Sequence, residues 1–496
     1  MKNKTAKNGE IANLSYLRPA PAKSMPLDIG VIHFVGIGGI GMSGIAEILH
    51  NIGYQISGSD VSDSANVKRL RKMGIAVAIG HKAENLDNVS VVVKSTAVPL
   101  SNPEIVAARE KQIPVVRRSE MLAELTHLKA TIAVAGSHGK TTTTSMVAKV
   151  LDAANMDPTV INGGIINSYG TNARLGGGDW LVAEADESDG TFIKIPATIG
   201  IITNVDPEHL DHWGSYDSLR NAFRTFVENL PFYGSAILCN DDDELRKLAI
   251  SITDRRILTY SVKDNKSDFF ATNIRNNGSS TNYDVVISGR ITSNKKKKTL
   301  KNIFLPVPGI HNVLNSLSAI AVAKELKIDD GVIISSFAGF SGVKRRFTKT
   351  GESGGVTIID DYGHHPTEIA ATLKAARGVV KKKGRVIAVF QPHRYSRLDN
   401  LFVEFCDCFS DADLVIVSEI YAAGEKPIEG LNTDSIIIGL KKNGVKAIPL
   451  SNPEELAKMI NKHAKPDDYV ICLGAGSITY WANELPDQLN KLRKKI

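Results

Sequence analysis

At 496 residues the chain is too long for one hydrophobic core, and roughly three domains is the natural division. A composition of 43% hydrophobic and 23% charged residues is that of a globular protein, and a net charge of +7 without aromatics interleaved among the basic residues argues against a nucleic-acid groove. Four cysteines in so long a chain exclude a disulfide framework and fit a reducing, cytoplasmic setting, and no apolar run reaches membrane-spanning length.

Residues 1–28 are polar, contain proline and lack the apolar core of a signal peptide, so they read as a flexible extension. An apolar run over 31–35 then predicts a strand, followed by Gly36-Ile37-Gly38-Gly39-Ile40-Gly41, a helix over 42–51 and a strand ending at Ser57-Gly58-Ser59-Asp60. Three glycines in the Gly-x-Gly-x-x-Gly spacing allow a tight turn and the close approach of a pyrophosphate, and Asp60 is placed to meet a ribose hydroxyl. A nicotinamide cofactor and a UDP-sugar both meet those terms. A further strand over 89–95 leads into Thr96, and this block closes near residue 125.

The second block opens with a strand over 131–135 and the turn Gly136-Ser137-His138-Gly139-Lys140-Thr141-Thr142. Strand, glycine-rich turn and helix start in that order cradle a phosphate. Backbone N–H groups converge on the anion, the helix N-terminus adds partial positive charge, and Lys140 adds a point charge. Val134 stands where the full P-loop pattern has its first glycine. The turn reads as an ATP site, and because hydride transfer needs no ATP, its presence argues against an oxidoreductase. A buried strand over 180–184 ends in Glu184-Ala185-Asp186-Glu187-Ser188-Asp189, hard oxygen ligands of the kind Mg²⁺ requires. After a strand over 199–204, His209 and His212 lack the spacing of a helical zinc pair. A polar insertion over 261–301 reads as hairpins or loops, and a helix over 313–326 follows Asn312.

The third block begins near residue 341, with Arg345-Arg346 close to its start. Strands over 356–360, 385–390, 414–419 and 469–473 each end in polar or glycine residues, where a doubly wound sheet presents its site. Asp361-Tyr362-Gly363-His364-His365-Pro366 follows the first of these. Gln391-Pro392-His393-Arg394-Tyr395-Ser396-Arg397 follows the second, with two arginines three apart that can converge on one carboxylate or phosphate or serve in a structural ion pair. Cys406 and Cys408 sit on different faces of a helical-looking stretch, which excludes them as a metal pair.

These motifs, in this order from residue 30 to the end, resemble the Mur ligases, ATP-dependent amide-forming enzymes of peptidoglycan synthesis. The resemblance implies an α/β protein of three domains: a Rossmann-like N-terminal domain for a UDP-sugar (29–125), a central P-loop-type ATPase α/β domain (126–340) and a Rossmann-like C-terminal domain that binds an amino acid (341–496). Its implied ligands are ATP, Mg²⁺, UDP-N-acetylmuramate and L-alanine. Carried over residue by residue, Gly36, Gly38, Gly39, Ile40, Gly41, Ser59, Asp60 and Thr96 meet the UDP-sugar. Gly136, Ser137, His138, Gly139, Lys140, Thr141 and Thr142 hold the ATP phosphates, with Asn312 at the adenine and Arg346 reaching the nucleotide from the third domain. Thr141, Glu184 and His209 surround Mg²⁺, and Asp361, His364, Arg394 and Arg397 hold the incoming amino acid. Lys140, Glu184, His209 and His364 are the expected catalytic residues. Several sister ligases carry a carbamylated lysine near a second metal, but no lysine lies between Pro207 and Cys239 here. Its absence is expected in the alanine-adding branch. A recycling ligase that attaches a tripeptide to the same UDP-sugar shares the ATP turn but has a different N-terminal glycine pattern.

Overall fold

The computed structural model describes residues 29–493, other than Thr96, Asp189 and Lys382. The expected extension over 1–28 and the expected ligand contact of Thr96 therefore lie outside the described residues. Three sheets organise the chain. The first is five-stranded and wholly parallel, in the order Ala76–Ile79, Ile56–Asp60, Val31–Val35, Val89–Lys94, Val115–Arg117. The second has ten strands, with Ala130–Ala135, Ile199–Ile202 and Ser235–Cys239 parallel near its middle. Its polar insertion forms hairpin strands, Phe269–Asn277, Ser280–Ile287 and Lys298–Leu305, that extend one end of this sheet in antiparallel fashion.

The third sheet shows why such sequences read as unbroken apolar runs. Val386, Ala388 and Phe390 point to one face, against Ile369, Leu373 and Phe405, while Ile387 and Val389 point to the other, against Leu456 and Ile460. Side chains alternate along a strand, so a sheet covered by helices on both faces must be apolar at every position. Each large side chain so buried contributes about 1.5–3 kcal/mol.

Helices begin earlier than the apolar periodicity suggests, at Ile40 rather than 42 and at Ile310 rather than 313. Their first turns carry glycine and polar residues that such periodicity does not score. All four cysteines are buried and free. No helix among the described residues is long and apolar enough to cross a membrane. The chain forms two compact units. One runs to Thr131 and takes in Asp179–Leu181 and Lys194–Pro196; the other holds the remaining central residues together with the whole third sheet.

Candidate active site

In the first unit the glycine turn is tied to the end of the neighbouring strand. The N–H groups of Gly36 and Ile37 both donate to Ser59 O, and Gly38 N–H donates to Asp60 Oδ2 at 2.8 Å. Gly36 has φ +80°, and a Cβ on Gly38 would lie within 2.9 Å of Asp60, Ser64 and Val67, so neither position accepts a side chain without strain. Gly39 precedes the helix Ile40–Asn51, and the Arg118 side chain stands where a Cβ on Gly41 would project. A helix N-terminus beside a guanidinium favours an anion.

Two residues expected to meet the ligand are otherwise engaged. Ser59 is fully buried, and its hydroxyl donates to Glu104 at 2.6 Å. Asp60 accepts Gly38 N–H and, at 3.1 Å, Ser62 N–H, so its carboxylate shapes the turn. Behind them Glu104 gathers His33, His81, Ser59 and Asn85 into a buried cluster.

In the second unit the ATP turn follows the strand Ala130–Ala135. Gly136 has φ +121°, and a Cβ there would collide with the side chain and N–H of Thr203; Gly139 has φ +82°. The helix Lys140–Ala153 starts immediately afterwards, which puts Thr141 and Thr142 in its first turn. The loop after Ile199–Ile202 braces the turn: Asn204 Oδ1 accepts His138 N–H at 2.8 Å, and Ser137 Oγ accepts Asp206 N–H at 2.9 Å.

Lys140 Nζ donates to Gly136 O at 2.6 Å, Ser137 O at 3.0 Å and Glu187 Oε2 at 2.7 Å. Burial alone would lower its pKa, but Glu187, Asp186 and Glu184 more than offset this and hold it protonated. His138 has the same balance. Burial works against its charge, yet Asp206 at 2.8 Å and Glu368 at 3.7 Å push it up to about 10.

Three carboxylates and a histidine form the acidic side. Glu184 accepts Gly163 N–H at 2.7 Å, and Thr141 packs on Gly164, so both flank the same glycine pair. His209 lies instead beside Glu187, with Nε2 3.7 Å from Oε1, and Glu187, Glu208 and His209 have ligand atoms within 4.8 Å of one another. The expected Mg²⁺ set of Thr141, Glu184 and His209 omits Glu187 and Glu208. Carboxylate oxygens suit Mg²⁺, and Glu187 Oε1 is buried without a hydrogen-bond partner. The residues fit such an ion.

A cavity of about 360 Å³ opens beside the turn, lined in part by Thr142, Asn204, Asp242, Asn312, Asn315 and Arg346. That is within the size range of small-ligand pockets, roughly 300–1,000 Å³. Asn312 is held by a bond from its Nδ2 to Pro308 O at 2.6 Å, and Arg346 by Glu368 and the face of Tyr362.

The amino-acid set is only partly drawn together. His364 Nδ1 is 3.0 Å from Tyr362 O and 3.2 Å from Glu368 Oε2. Asp361 is buried with its oxygens occupied by the N–H groups of Phe347 and Gly363 and the Thr372 hydroxyl, so it holds the loop rather than presenting a free carboxylate. The two arginines face different neighbours. Arg394 is exposed and 3.8 Å from Glu425, because at φ +69° it precedes a helix start that turns away. Arg397 lies 3.4 Å from His393 Nδ1, and its charge is felt at His209.

Glu208, Glu368 and Arg118 were not singled out in the sequence, and Glu187 was named only as one of the acids in a run of Mg²⁺-type oxygen ligands. The acidic run flagged Glu187 among four acids. Only the turn made by Asp186 accepting Ser188 N–H separates Glu187, which faces Lys140, from its neighbours.

A helix opening on a glycine-rich phosphate-type turn, acidic strand ends beside it, and Glu368 and His365 of the third block within reach of His138 and Glu208 define a nucleotide-dependent enzyme. The chain matches three family models in order: Mur ligase family, catalytic domain (31–130), Mur ligase middle domain (134–323), and Mur ligase, glutamate ligase domain (345–476). It belongs to the Mur ligase family. It is 59% identical to a UDP-N-acetylmuramate–L-alanine ligase of Rhodospirillum centenum over 95% of this chain and 96% of that one. Its identity to the protein of the same name in Xanthobacter autotrophicus is 58%, over 95% and 99%. Among solved structures it resembles the UDP-N-acetylmuramate-alanine ligase MurC of Thermotoga maritima, with a TM-score of 0.78, 31% identity, and coverage of 94% of this chain and 100% of that one.

Proposed function

We propose that this protein joins L-alanine to the lactyl carboxylate of UDP-N-acetylmuramate, using ATP and passing through an acyl phosphate. Supporting this reading, one unit holds Lys140 and the acidic strand ends together with Arg346, His364 and Arg397 from the segments that flank the third sheet, and the relatives that share nearly the whole chain carry that name. In this reading the three domains divide at 29–125, 126–340 and 341–496, and the enzyme works in the cytoplasm, where its four thiols stay reduced.

A carboxylate resists attack because its charge is delocalised. Its oxygen displaces ADP from the γ-phosphorus, giving an acyl phosphate; the alanine amine then adds to the carbonyl carbon, and phosphate leaves. Lys140 and Arg346 supply fixed positive charge where negative charge accumulates. Mg²⁺, held by residues from the set Thr141, Glu184, Glu187, Glu208 and His209, neutralises phosphate charge when bound. At His364 both neighbours of Nδ1 are acceptors, Tyr362 O and Glu368 Oε2, so Nδ1 carries the ring proton. Nε2 is then the ring nitrogen that faces the incoming amine. Water would destroy the acyl phosphate, which gives closure of the third domain a chemical purpose.

The test is phosphate release. It should require UDP-N-acetylmuramate and L-alanine together, and release in the absence of either, at an undiminished rate, would overturn the reading.

Recognition of alanine should fall mainly on Arg397. A methyl group contributes only about 1 kcal/mol by area, against roughly 1.5–3 for a charge-assisted hydrogen bond to its carboxylate. Arg397→Ala should therefore raise the alanine KM at least ~10-fold with the ATP KM nearly unchanged. Arg394→Ala should do much less, since Arg394 already faces Glu425. Initial rates with alanine and with alanine amide separate the cases. If both substrates lose equally in Arg397→Ala, that arginine acts elsewhere than on the carboxylate.

A further inference from the structure

Glu368 lies in the first turn of the helix Pro366–Val379, and its two carboxylate oxygens face different partners. Oε1 is 3.3 Å from Arg346 Nη1 and 3.7 Å from His138 Nδ1. Oε2 accepts the backbone N–H of His364 at 3.1 Å and lies 3.2 Å from His364 Nδ1. His138 is part of the ATP turn, where Asn204 pins its backbone, and His364 belongs to the loop assigned to the amino acid. The carboxylate is mostly buried. Burial opposes its charge, but His364, His138 and Arg346 together hold its pKa well below the usual carboxylate range.

A carboxylate is planar and rigid, so its two oxygens move as one. Phosphate oxygens arriving at the turn compete with Oε1 for His138 and Arg346. Any rotation of the carboxylate that follows also moves Oε2, and with it the hydrogen bonds that set the His364 ring. We propose that Glu368 couples the nucleotide half-site to the amino-acid half-site, its Oε1 bound to the ATP-side cations and its Oε2 bound to His364. Glu368 is a positioning residue in this scheme and touches neither substrate. The inference rests on the reading above, in which ATP and L-alanine occupy those two half-sites.

Coupling of this kind is reciprocal and is measured as a ratio of dissociation constants. Titration calorimetry of the full chain with a non-hydrolysable ATP analogue, in the presence of UDP-N-acetylmuramate, with and without saturating L-alanine, yields that ratio. In the unaltered protein alanine should change the analogue Kd at least ~5-fold. In Glu368→Gln, which keeps the side chain's size, the ratio should fall to about 1 while the analogue still binds. His138→Gln removes one of the two Oε1 partners and leaves Arg346, so it should lower the ratio without abolishing it, and combined with Glu368→Gln it should add nothing further. If Glu368→Gln does not fold, His138→Gln decides alone. A ratio near 1 in the unaltered protein, or one preserved in either folded variant, overturns the proposal. Failure of the unaltered protein to bind the analogue or alanine at all overturns the assigned function instead.

Discussion

Lys140→Ala should reduce ligation by roughly 10³-fold, the scale on which preorganised charge acts in phosphoryl transfer, and leave UDP-N-acetylmuramate bound. Lys140 Nζ is fixed by two carbonyls of its own turn and by Glu187, so the ammonium is in place before any nucleotide arrives. Three neighbouring acids keep it charged throughout the physiological range despite burial. Its removal takes away the cation of Glu187, a fully buried carboxyl that burial already pushes up to about 8, so that carboxyl takes up a proton and the packed contact with Lys140 is lost. Instability and lost chemistry must therefore be separated. Lys140→Ala combined with Glu187→Gln puts a neutral amide in place of that carboxyl, so thermal stability should recover while ligation stays lost. Recovery of ligation in the double variant would show that Lys140 merely neutralises Glu187. The glycine turn of 36–41 belongs to the other compact unit, so calorimetric binding of the UDP-sugar should survive. If that binding fell as far as catalysis, the two ligand sites would not be separate.

The second large effect is expected at Glu104, and it is one of stability. Burial alone would raise this carboxyl, but bonds from His33, Ser59 and Asn85 overcome that and bring it from 4.5 down to about 2. A difference of that size corresponds to about 3 kcal/mol at about 1.36 kcal/mol per pKa unit. Because the folded pKa is the depressed one, the stabilisation is complete above about pH 4.5 and is lost as the pH falls toward 2. Glu104→Ala removes it at neutral pH and leaves the hydroxyl of Ser59 only His81 and the amide of Asn85 only Gly80 O as partners. Hydrogen exchange of the strands Val31–Val35 and Ile56–Asp60 should then accelerate by about 10²-fold, since about 1.4 kcal/mol is tenfold in an opening equilibrium. In the unaltered protein the same strands should lose protection between about pH 4.5 and 2, and the variant should lack that dependence. Unchanged exchange in Glu104→Ala would mean the cluster contributes nothing net. Ser59 carries the hydroxyl of this cluster while its neighbour Asp60 binds the glycine turn, so loosening should also reach the turn.

Much of the candidate site was legible because its signals are local. The turns at Gly36–Gly41 and Gly136–Lys140 depend on backbone angles and close approaches that only glycine meets, and those are written in consecutive residues. The strand ends carrying Glu184, Thr203 and Asp361 follow from apolar runs that stop, and the helix at Pro366 from the proline itself. Spacing likewise separated His209 and His212 from a helical zinc pair.

Partner choice was not legible, because it joins residues far apart in the chain. Lys140 meets Glu187 across 47 positions, Ser59 meets Glu104 across 45, and Asp361 is consumed by the N–H of Phe347. Two arginines three apart are compatible with one shared anion, yet a positive φ at Arg394 aims its side chain at Glu425. The sequence by itself determined where many of the strands fall along the chain, the two phosphate-type turns and the chemistry available at each, since these depend on neighbours along the backbone, whereas the order of strands within each sheet did not follow from it. Only the tertiary structure decided which acid faces Lys140, that Asp60 and Asp361 brace loops, and that Glu368 faces both His138 and His364. Those outcomes depend on distances of a few ångströms between packed elements, and a one-dimensional pattern of residue types does not encode such distances.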